Sequence, residues 1–176
     1  MKLIILGPPG SGKGTQAELI SKDFKLKHII ASDLIKNEIK NKTKEGKLMN
    51  LYLSQGKLVP DELIIPIFKK NIPKNNYILD GFPRTLKQAE FLNEISKADK
   101  IIFLDVPKKV IKERLVKRAK IENRIDDNLK IINIRLEVYE KDTKPLLDYY
   151  KNNLILIQGN KTVNEIEKDI IKKLIV

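Results

Sequence analysis

The stretch GPPGSGKGT, residues 7–15, directly follows the short apolar run KLIIL at residues 2–6. A strand that leads through a glycine-rich loop into a helix gathers unpaired backbone N–H groups and the positive end of the helix dipole around one point. Glycines let those groups curl around an anion, and Lys13 adds a mobile cation. The stretch therefore predicts a phosphate-binding loop, with Gly14 standing where the general pattern has Ser or Thr.

Short apolar runs, each followed by a turn signal and a helical pattern, extend this picture along the chain. They predict strands at residues 2–6, 28–31, 77–79, 101–106 and 154–157. Helices are predicted at residues 13–24, 61–71, 86–96, 108–119, 127–150 and 163–174. Continuous apolar strands that alternate with helices are typical of an α/β fold with a parallel sheet covered on both faces. We expect one domain with a doubly wound, five-stranded parallel sheet, and a helical insertion between the second and third strands.

The composition is that of a globular chain, with 41% hydrophobic and 33% charged residues. Its net charge of +12 is compatible with an anionic partner, but most lysines fall in helical patterns that we interpret as solvated faces. The absence of cysteine excludes a disulfide framework, a thiolate nucleophile and a Cys-ligated zinc site. No apolar run approaches the ~20 residues of a bilayer crossing, and residues 1–6 are too short for a signal peptide. We therefore expect a cytoplasmic protein with no membrane partner.

The loop variant GxPGxGKGT is the form found in nucleoside monophosphate kinases, and a second motif, LDGFPRTLKQAE, occupies residues 79–90. With these motifs, the chain resembles the adenylate kinases from residue 1 to about residue 161. The resemblance implies a P-loop nucleoside monophosphate kinase fold in a single domain, residues 1–176. Its parts would be a core (residues 1–29, 60–117 and 129–176), an AMP-binding insertion (30–59) and a short lid (118–128).

The resemblance also implies site residues. The ATP site would comprise Gly10, Ser11, Gly12, Lys13, Gly14, Thr15, Arg114, Arg118 and Lys161. The AMP site would comprise Ala31, Lys36, Lys57, Leu58, Val59, Gly81, Phe82, Pro83, Arg84, Gln88, Arg124 and Arg135, with a cis peptide before Pro83. The catalytic cations would be Lys13, Arg84, Arg118, Arg124 and Arg135. Asp80, at the carboxyl end of the third strand, would hold water ligands of Mg²⁺.

The arginines support this interpretation on chemical grounds. A transferring phosphoryl group spreads negative charge over three oxygens, and arginine forks suit that charge better than the lysines that are abundant elsewhere. Arg114 and Arg118 share one helix face by their i, i+4 spacing. Five residues separate Arg118 from Arg124, which indicates a short lid without zinc, and Asp126 and Asp127 would orient its arginines.

The chain departs from the family pattern on the acceptor side. Ala31 replaces the usual Thr, and Lys36 replaces an Arg, so we expect weaker capture of the acceptor phosphate there and a larger share for Arg84. Ala31 is a feature of UMP/CMP kinases, whereas Gln88 favours adenine.

The expected reaction is Mg·ATP + AMP ⇌ 2 ADP, catalysed by a monomer. A UMP/CMP kinase is the nearest alternative. A nucleotide-dependent switch or nucleic-acid binder is the alternative from another class. The run NKTK at residues 41–44 lacks the Asp of a guanine-reading motif, and we expect no nucleic-acid partner. His28, in a buried strand, has no expected catalytic role because transfer between two phosphates needs no general base.

Overall fold

The computed structural model describes residues 1–122 and 129–175. In those residues, one sheet of five parallel strands has the order β2–β3–β1–β4–β5. The strands are β1 (Lys2–Leu6), β2 (Lys27–Ile30), β3 (Tyr77–Asp80), β4 (Lys100–Asp105) and β5 (Leu154–Gln158). The predicted five-stranded parallel sheet is confirmed, and each strand end lies within one residue of its predicted position.

Helices connect the strands and cover both faces of the sheet. The described helices are α1 (Lys13–Asp23), α2 (Ala31–Lys40), α3 (Lys44–Ser54), α4 (Asp61–Asn71), α5 (Leu86–Ile95), α6 (Lys108–Glu122), α7 (Leu129–Val138), α8 (Leu146–Tyr149) and α9 (Val163–Ile175). Between β2 and β3 the chain forms only helices: α2 and α3 pack on each other before α4 returns to the sheet.

Alternate residues of the central strand point to opposite faces of the sheet, as strand geometry requires. Leu3 and Ile5 pack in a cluster with side chains of α1 and α9. Ile4 and Leu6 pack in a second cluster with side chains of α4 and α5. All four side chains are buried, and this central position fixes the loop that follows β1 relative to the neighbouring strand ends.

The predicted single helix over residues 127–150 is wrong in its described part, residues 129–150. Helix α7 ends at Val138, and a π-turn follows at Tyr139–Thr143, with the N–H of Lys144 donating to the carbonyl of Tyr139 at 2.9 Å. Pro145 explains the break, since proline has no N–H and its ring would clash with the carbonyl of residue 141 in a continued helix.

None of the helices described here has both the length and the apolar character that spanning a membrane would require.

Candidate active site

The phosphate-binding loop lies at the carboxyl end of β1 and leads directly into α1. Gly10 and Gly12 have positive φ angles of 80° and 89°, in the left-handed region that glycine occupies without strain. The Ser11 N–H donates to the carbonyl of Pro8 at 3.1 Å, and the Lys13 ammonium approaches the same carbonyl at 3.4 Å. The loop thus forms the backbone cradle that the sequence predicts, with Lys13 folded over it.

The position of Gly14 accounts for the departure from the general loop pattern. A Cβ atom at this position would lie 3.2 Å from the Oδ2 atom of Asp80, at the end of the adjacent strand β3. That distance is tighter than an ordinary carbon–oxygen contact, so a Ser or Thr would press on the carboxylate. Glycine therefore lets Asp80 lie against the first turn of α1.

Charge converges on Lys13. Burial lowers the pKa of its ammonium from 10.5 to about 8; Asp80 opposes this shift, whereas Arg84, Arg135 and Arg118 lower the pKa further. Burial also lowers the pKa of Arg84, again opposed by Asp80. Lys13 is thus within electrostatic range of three arginines and one carboxylate, which leaves an excess of positive charge in the cleft, and such a cleft favours a polyanion.

Helix α6 is attached to the phosphate loop by one of its arginines. The Arg114 guanidinium donates to the carbonyl of Ser11 at 3.3 Å. On the same helix, Leu115 lies against Gly10, where a Cβ atom would meet its Cγ at 2.8 Å. Arg114 therefore lies beside the phosphate loop, and its contact with a nucleotide stays a prediction. Arg124, Asp126 and Asp127 lie outside the described residues.

A second pocket lies beside the cationic cleft, between the insertion and the carboxyl end of β3. It is lined by residues predicted for the AMP site, together with Ser32, Ile35, Leu53 and Ile64. The predicted residues are Ala31, Lys57, Leu58, Val59, Gly81, Arg84 and Gln88. The two ends of the insertion and the loop after β3, which are distant in sequence, therefore line one pocket.

The loop after β3 is held in one conformation by several contacts. The peptide bond between Phe82 and Pro83 is cis, which confirms that expectation. Phe82 is buried and stacks on Phe68, with ring centroids 3.8 Å apart. The Arg84 Nε donates to the carbonyl of Gly81 at 2.8 Å, which directs the guanidinium back toward the strand end. Arg84 therefore borders both the pocket and the cationic cleft.

Two predicted lysines lie on exposed surfaces. The Lys36 ammonium is 3.4 Å from the carboxylate of Asp33 one helical turn away, and its side chain is 67% exposed. The Lys161 ammonium pairs with Asp169 at 2.7 Å, and this contact raises the pKa of Lys161. The described contacts of these two lysines are with those carboxylates, so their nucleotide contacts stay predictions.

Sequence reasoning assigned no role to three residues that contact the site. Asp61 accepts hydrogen bonds from Gln88 and Thr85, and the Thr143 hydroxyl donates to the carbonyl of Arg84 at 3.0 Å. The imidazole of His28 lies 4.0 Å from Asp80, and burial lowers its pKa. A weak sequence pattern could have drawn attention to Asp61, because an acidic residue that follows a proline is typical of a helix start. Thr143 is positioned by the π-turn, which no sequence pattern predicts.

A larger groove, about 920 Å³, lies between α6 and α7 and reaches Pro8 of the phosphate loop. Its walls include Ile111, Leu136 and Tyr139, and none of its lining residues is a predicted site residue. Charge and hydrogen-bonding groups, rather than volume, therefore identify the candidate site.

Comparison with known proteins finds one family model and several relatives that match this chain. A family model described as adenylate kinase matches residues 5–155. The chain is 40% identical to an adenylate kinase of Clostridium tetani, over 97% of this chain and 96% of that protein. It is 41% identical to one of a Cyanothece species (96% and 92%) and 39% identical to one of Rickettsia africae (98% and 98%). The Clostridium alignment spans 208 positions, against 176 residues in this chain, whereas the Cyanothece alignment spans 180.

Proposed function

The chain belongs to the adenylate kinase family, and from that membership we propose that it transfers the terminal phosphoryl group of ATP to AMP, forming two ADP. The family match and the relatives, all named adenylate kinase, support this reaction over the UMP/CMP kinase alternative. The observation that carries the proposal is that Asp80, Arg84, Arg118 and Arg135 all act electrostatically on the buried Lys13 of the phosphate loop, beside a separate pocket that Arg84 also lines.

On the donor side, the backbone N–H groups of the loop and the Lys13 ammonium would bind the β- and γ-phosphates of ATP. Arg114, already directed at Ser11, would pack against the donor adenine. Three arginines would stabilise the negative charge on the phosphoryl group during transfer: Arg118, Arg124 and Arg135. In this proposal, these residues position the two phosphates and exclude water. None of them has to act as a general base, because the attacking group is a phosphate oxygen.

On the acceptor side, Arg84 would bind the AMP phosphate, because its planar fork can donate two parallel hydrogen bonds. Gln88 would bind the adenine, and Lys57, Leu58 and Val59 would contact the nucleoside from the opposite wall of the pocket. Because Lys36 supplies an ammonium on an exposed face, Arg84 carries most of the phosphate binding in this proposal.

The donor set fits Mg²⁺. Among the described residues, no group of three or more His, Cys, Asp or Glu side chains could hold a metal ion, but Asp80 places one buried carboxylate beside the loop. Mg²⁺ keeps several waters and binds through one or two carboxylates plus substrate phosphates, so one carboxylate suffices. Bound Mg²⁺ would neutralise phosphate charge, with Asp80 holding its waters.

We further propose a monomer that acts in the cytoplasm, has a short lid and binds no nucleic acid. The longer alignment with the Clostridium relative fits a chain that lacks a lid insertion. The +12 charge fits lysines on exposed helix faces, such as Lys22, Lys36 and Lys87.

One assay tests the reaction: ADP formation from Mg·ATP with AMP, CMP or UMP as acceptor. We expect AMP to be the preferred acceptor and Arg84→Ala to reduce kcat/KM for AMP by at least ~10². Lys87→Ala is the matched control, because Lys87 is exposed, lies three residues away and pairs only with Glu62 in the described contacts. A chain that phosphorylates UMP or CMP faster than AMP would contradict the proposal.

A further inference from the structure

The side-chain amide of Gln88 is held from two sides by groups of opposite character. Gln88 is 3% exposed and lines the acceptor pocket. Its Oε1 atom accepts a hydrogen bond from the backbone N–H of Arg84 at 2.7 Å. Its Nε2 atom donates to Oδ1 of Asp61, also at 2.7 Å. One end of the amide therefore faces a donor, and the other end faces a carboxylate.

This arrangement permits only one orientation of the amide. A 180° flip would turn the amide nitrogen toward the Arg84 N–H and the amide oxygen toward the Asp61 carboxylate. Both pairs would repel, and buried groups would lose their partners, which is costly away from water. Two hydrogen bonds therefore fix the amide. The one from the backbone N–H of Arg84 does not depend on the Arg84 side chain, whereas the one to the Asp61 carboxylate can be removed by a substitution.

Asp61 is itself held in position. The Thr85 hydroxyl donates to the Asp61 carboxylate at 3.1 Å and 3.3 Å, and the same hydroxyl accepts the backbone N–H of Gln88 at 3.2 Å as the cap of α5. Asp61 is the first residue of α4, directly after the loop that forms one wall of the acceptor pocket. The carboxylate therefore joins the beginnings of α4 and α5 to the residue that faces the base.

The internal hydrogen bonds leave Gln88 with one N–H and one lone pair of its oxygen for a ligand. In the fixed orientation, the base must offer a donor to Oε1 and an acceptor to Nε2. Adenine offers its 6-amino group beside a ring nitrogen that accepts, which matches. A 6-oxo purine such as hypoxanthine offers an oxygen at the same position, so two acceptors would face each other.

We propose that Asp61 is a positioning residue that makes the acceptor site select a 6-amino over a 6-oxo purine, by fixing the orientation of the Gln88 amide. The inference rests on the proposed function, and it concerns a residue that does not itself touch the base. A carboxylate can only accept, whereas the amide of an Asn or a water in place of the side chain can donate or accept. Replacing Asp61 therefore removes one of the two constraints on the Gln88 amide, and the cost of turning the amide over falls.

The experiment compares kcat/KM for AMP and for IMP, at saturating Mg·ATP, in the wild-type chain, Asp61→Asn and Asp61→Ala. We expect the AMP:IMP ratio to fall by about tenfold in Asp61→Ala and by less in Asp61→Asn. The change should appear mainly in KM for the acceptor, with KM for ATP unchanged. Glu62→Gln is the matched control, since it removes the neighbouring, exposed carboxylate that pairs with Lys87, and its ratio should equal that of the wild type.

A double-mutant cycle separates positioning from a structural role. In a Gln88→Leu background, Asp61→Ala should leave the AMP:IMP ratio unchanged, because Asp61 acts through the amide. A purely structural role would lower activity with both acceptors in parallel and leave the ratio as in the wild type. That result, or an effect of Asp61→Ala that persists in the Gln88→Leu background, overturns the inference; if Asp61→Ala does not fold, Asp61→Asn decides. A wild-type chain that forms no ADP from ATP and AMP overturns the proposed function as well.

Discussion

On the phosphate-loop side of the cleft, the groups proposed to face a nucleotide are mainly backbone N–H groups that follow a central buried strand. On the acceptor side, they are the side chains of Arg84 and Gln88, oriented by hydrogen bonds to neighbouring carbonyl and carboxylate groups. The first side depends on backbone conformation and on close approach at glycines. The second depends on which side chain meets which partner. The two sides should therefore respond differently to substitution.

The largest effect is expected at the one side chain on which the phosphate loop relies. Lys13→Met should lower kcat by about 10³-fold, because it removes the ammonium that meets the developing phosphate charge. The coupled ADP assay measures this. The unfolding midpoint at pH 7 should not fall, because the change removes a desolvated ammonium whose pKa the fold lowers. Loss of both activity and stability would instead indicate a structural role.

Arg84→Lys tests the acceptor side with charge retained. An ammonium cannot reproduce two parallel hydrogen bonds, so kcat/KM for AMP should fall by about 10²-fold. The interaction of Arg84 Nε with the Gly81 carbonyl would also be lost. A steady-state titration of AMP at saturating ATP measures the effect, and a change below threefold would mean that charge alone suffices.

Gly14→Ser tests the close approach on the donor side. The new Cβ would crowd Asp80, so the carboxylate must shift, and KM for Mg·ATP should rise by about tenfold while KM for AMP stays the same. Lys22→Ala, further along α1 on an exposed face where it pairs with Glu18, is the control and should leave both KM values unchanged. Equal changes in both KM values would place the disturbance outside the donor side.

ATP affinity should depend on pH through Lys13. The ammonium loses its proton as the pH rises through about 8 in the free protein, and bound phosphate favours the protonated form. The Kd for ATP should therefore increase by up to about tenfold between pH 7 and pH 9, with proton uptake on binding at the higher pH. Calorimetry in two buffers measures both quantities, and Lys13→Met should show neither.

The smallest effect is expected at Lys36, which the family pattern assigns to the acceptor phosphate. Its ammonium lies on an exposed face beside Asp33, and the described pocket lining does not include it. Lys36→Ala should raise KM for AMP by less than about twofold, as for most surface substitutions. A tenfold rise would show that α2 brings Lys36 to the phosphate in the bound state.

These expectations also show what a sequence can and cannot predict. The sheet and the phosphate loop were predictable because apolar runs and glycine spacing are local signals. The break after Val138 was missed because the helical pattern of residues 129–150 continues past it, and Pro145 alone marks the end. The orientation of Gln88 was not predictable, because it depends on Asp61, which lies 27 residues away in sequence. Partners that tertiary packing selects have no local signal.

Gly46 has a mechanical consequence for the insertion. It lies in the first turn of α3, where a Cβ atom would overlap the backbone carbonyl of Glu38 in α2, so only glycine allows the two helix backbones to touch. We expect helices in such direct contact to move as one unit, joined to β2 at Ala31 and to α4 by the loop that follows α3. A bulkier residue at position 46 would push α2 and α3 apart, and the two helices would then no longer move together.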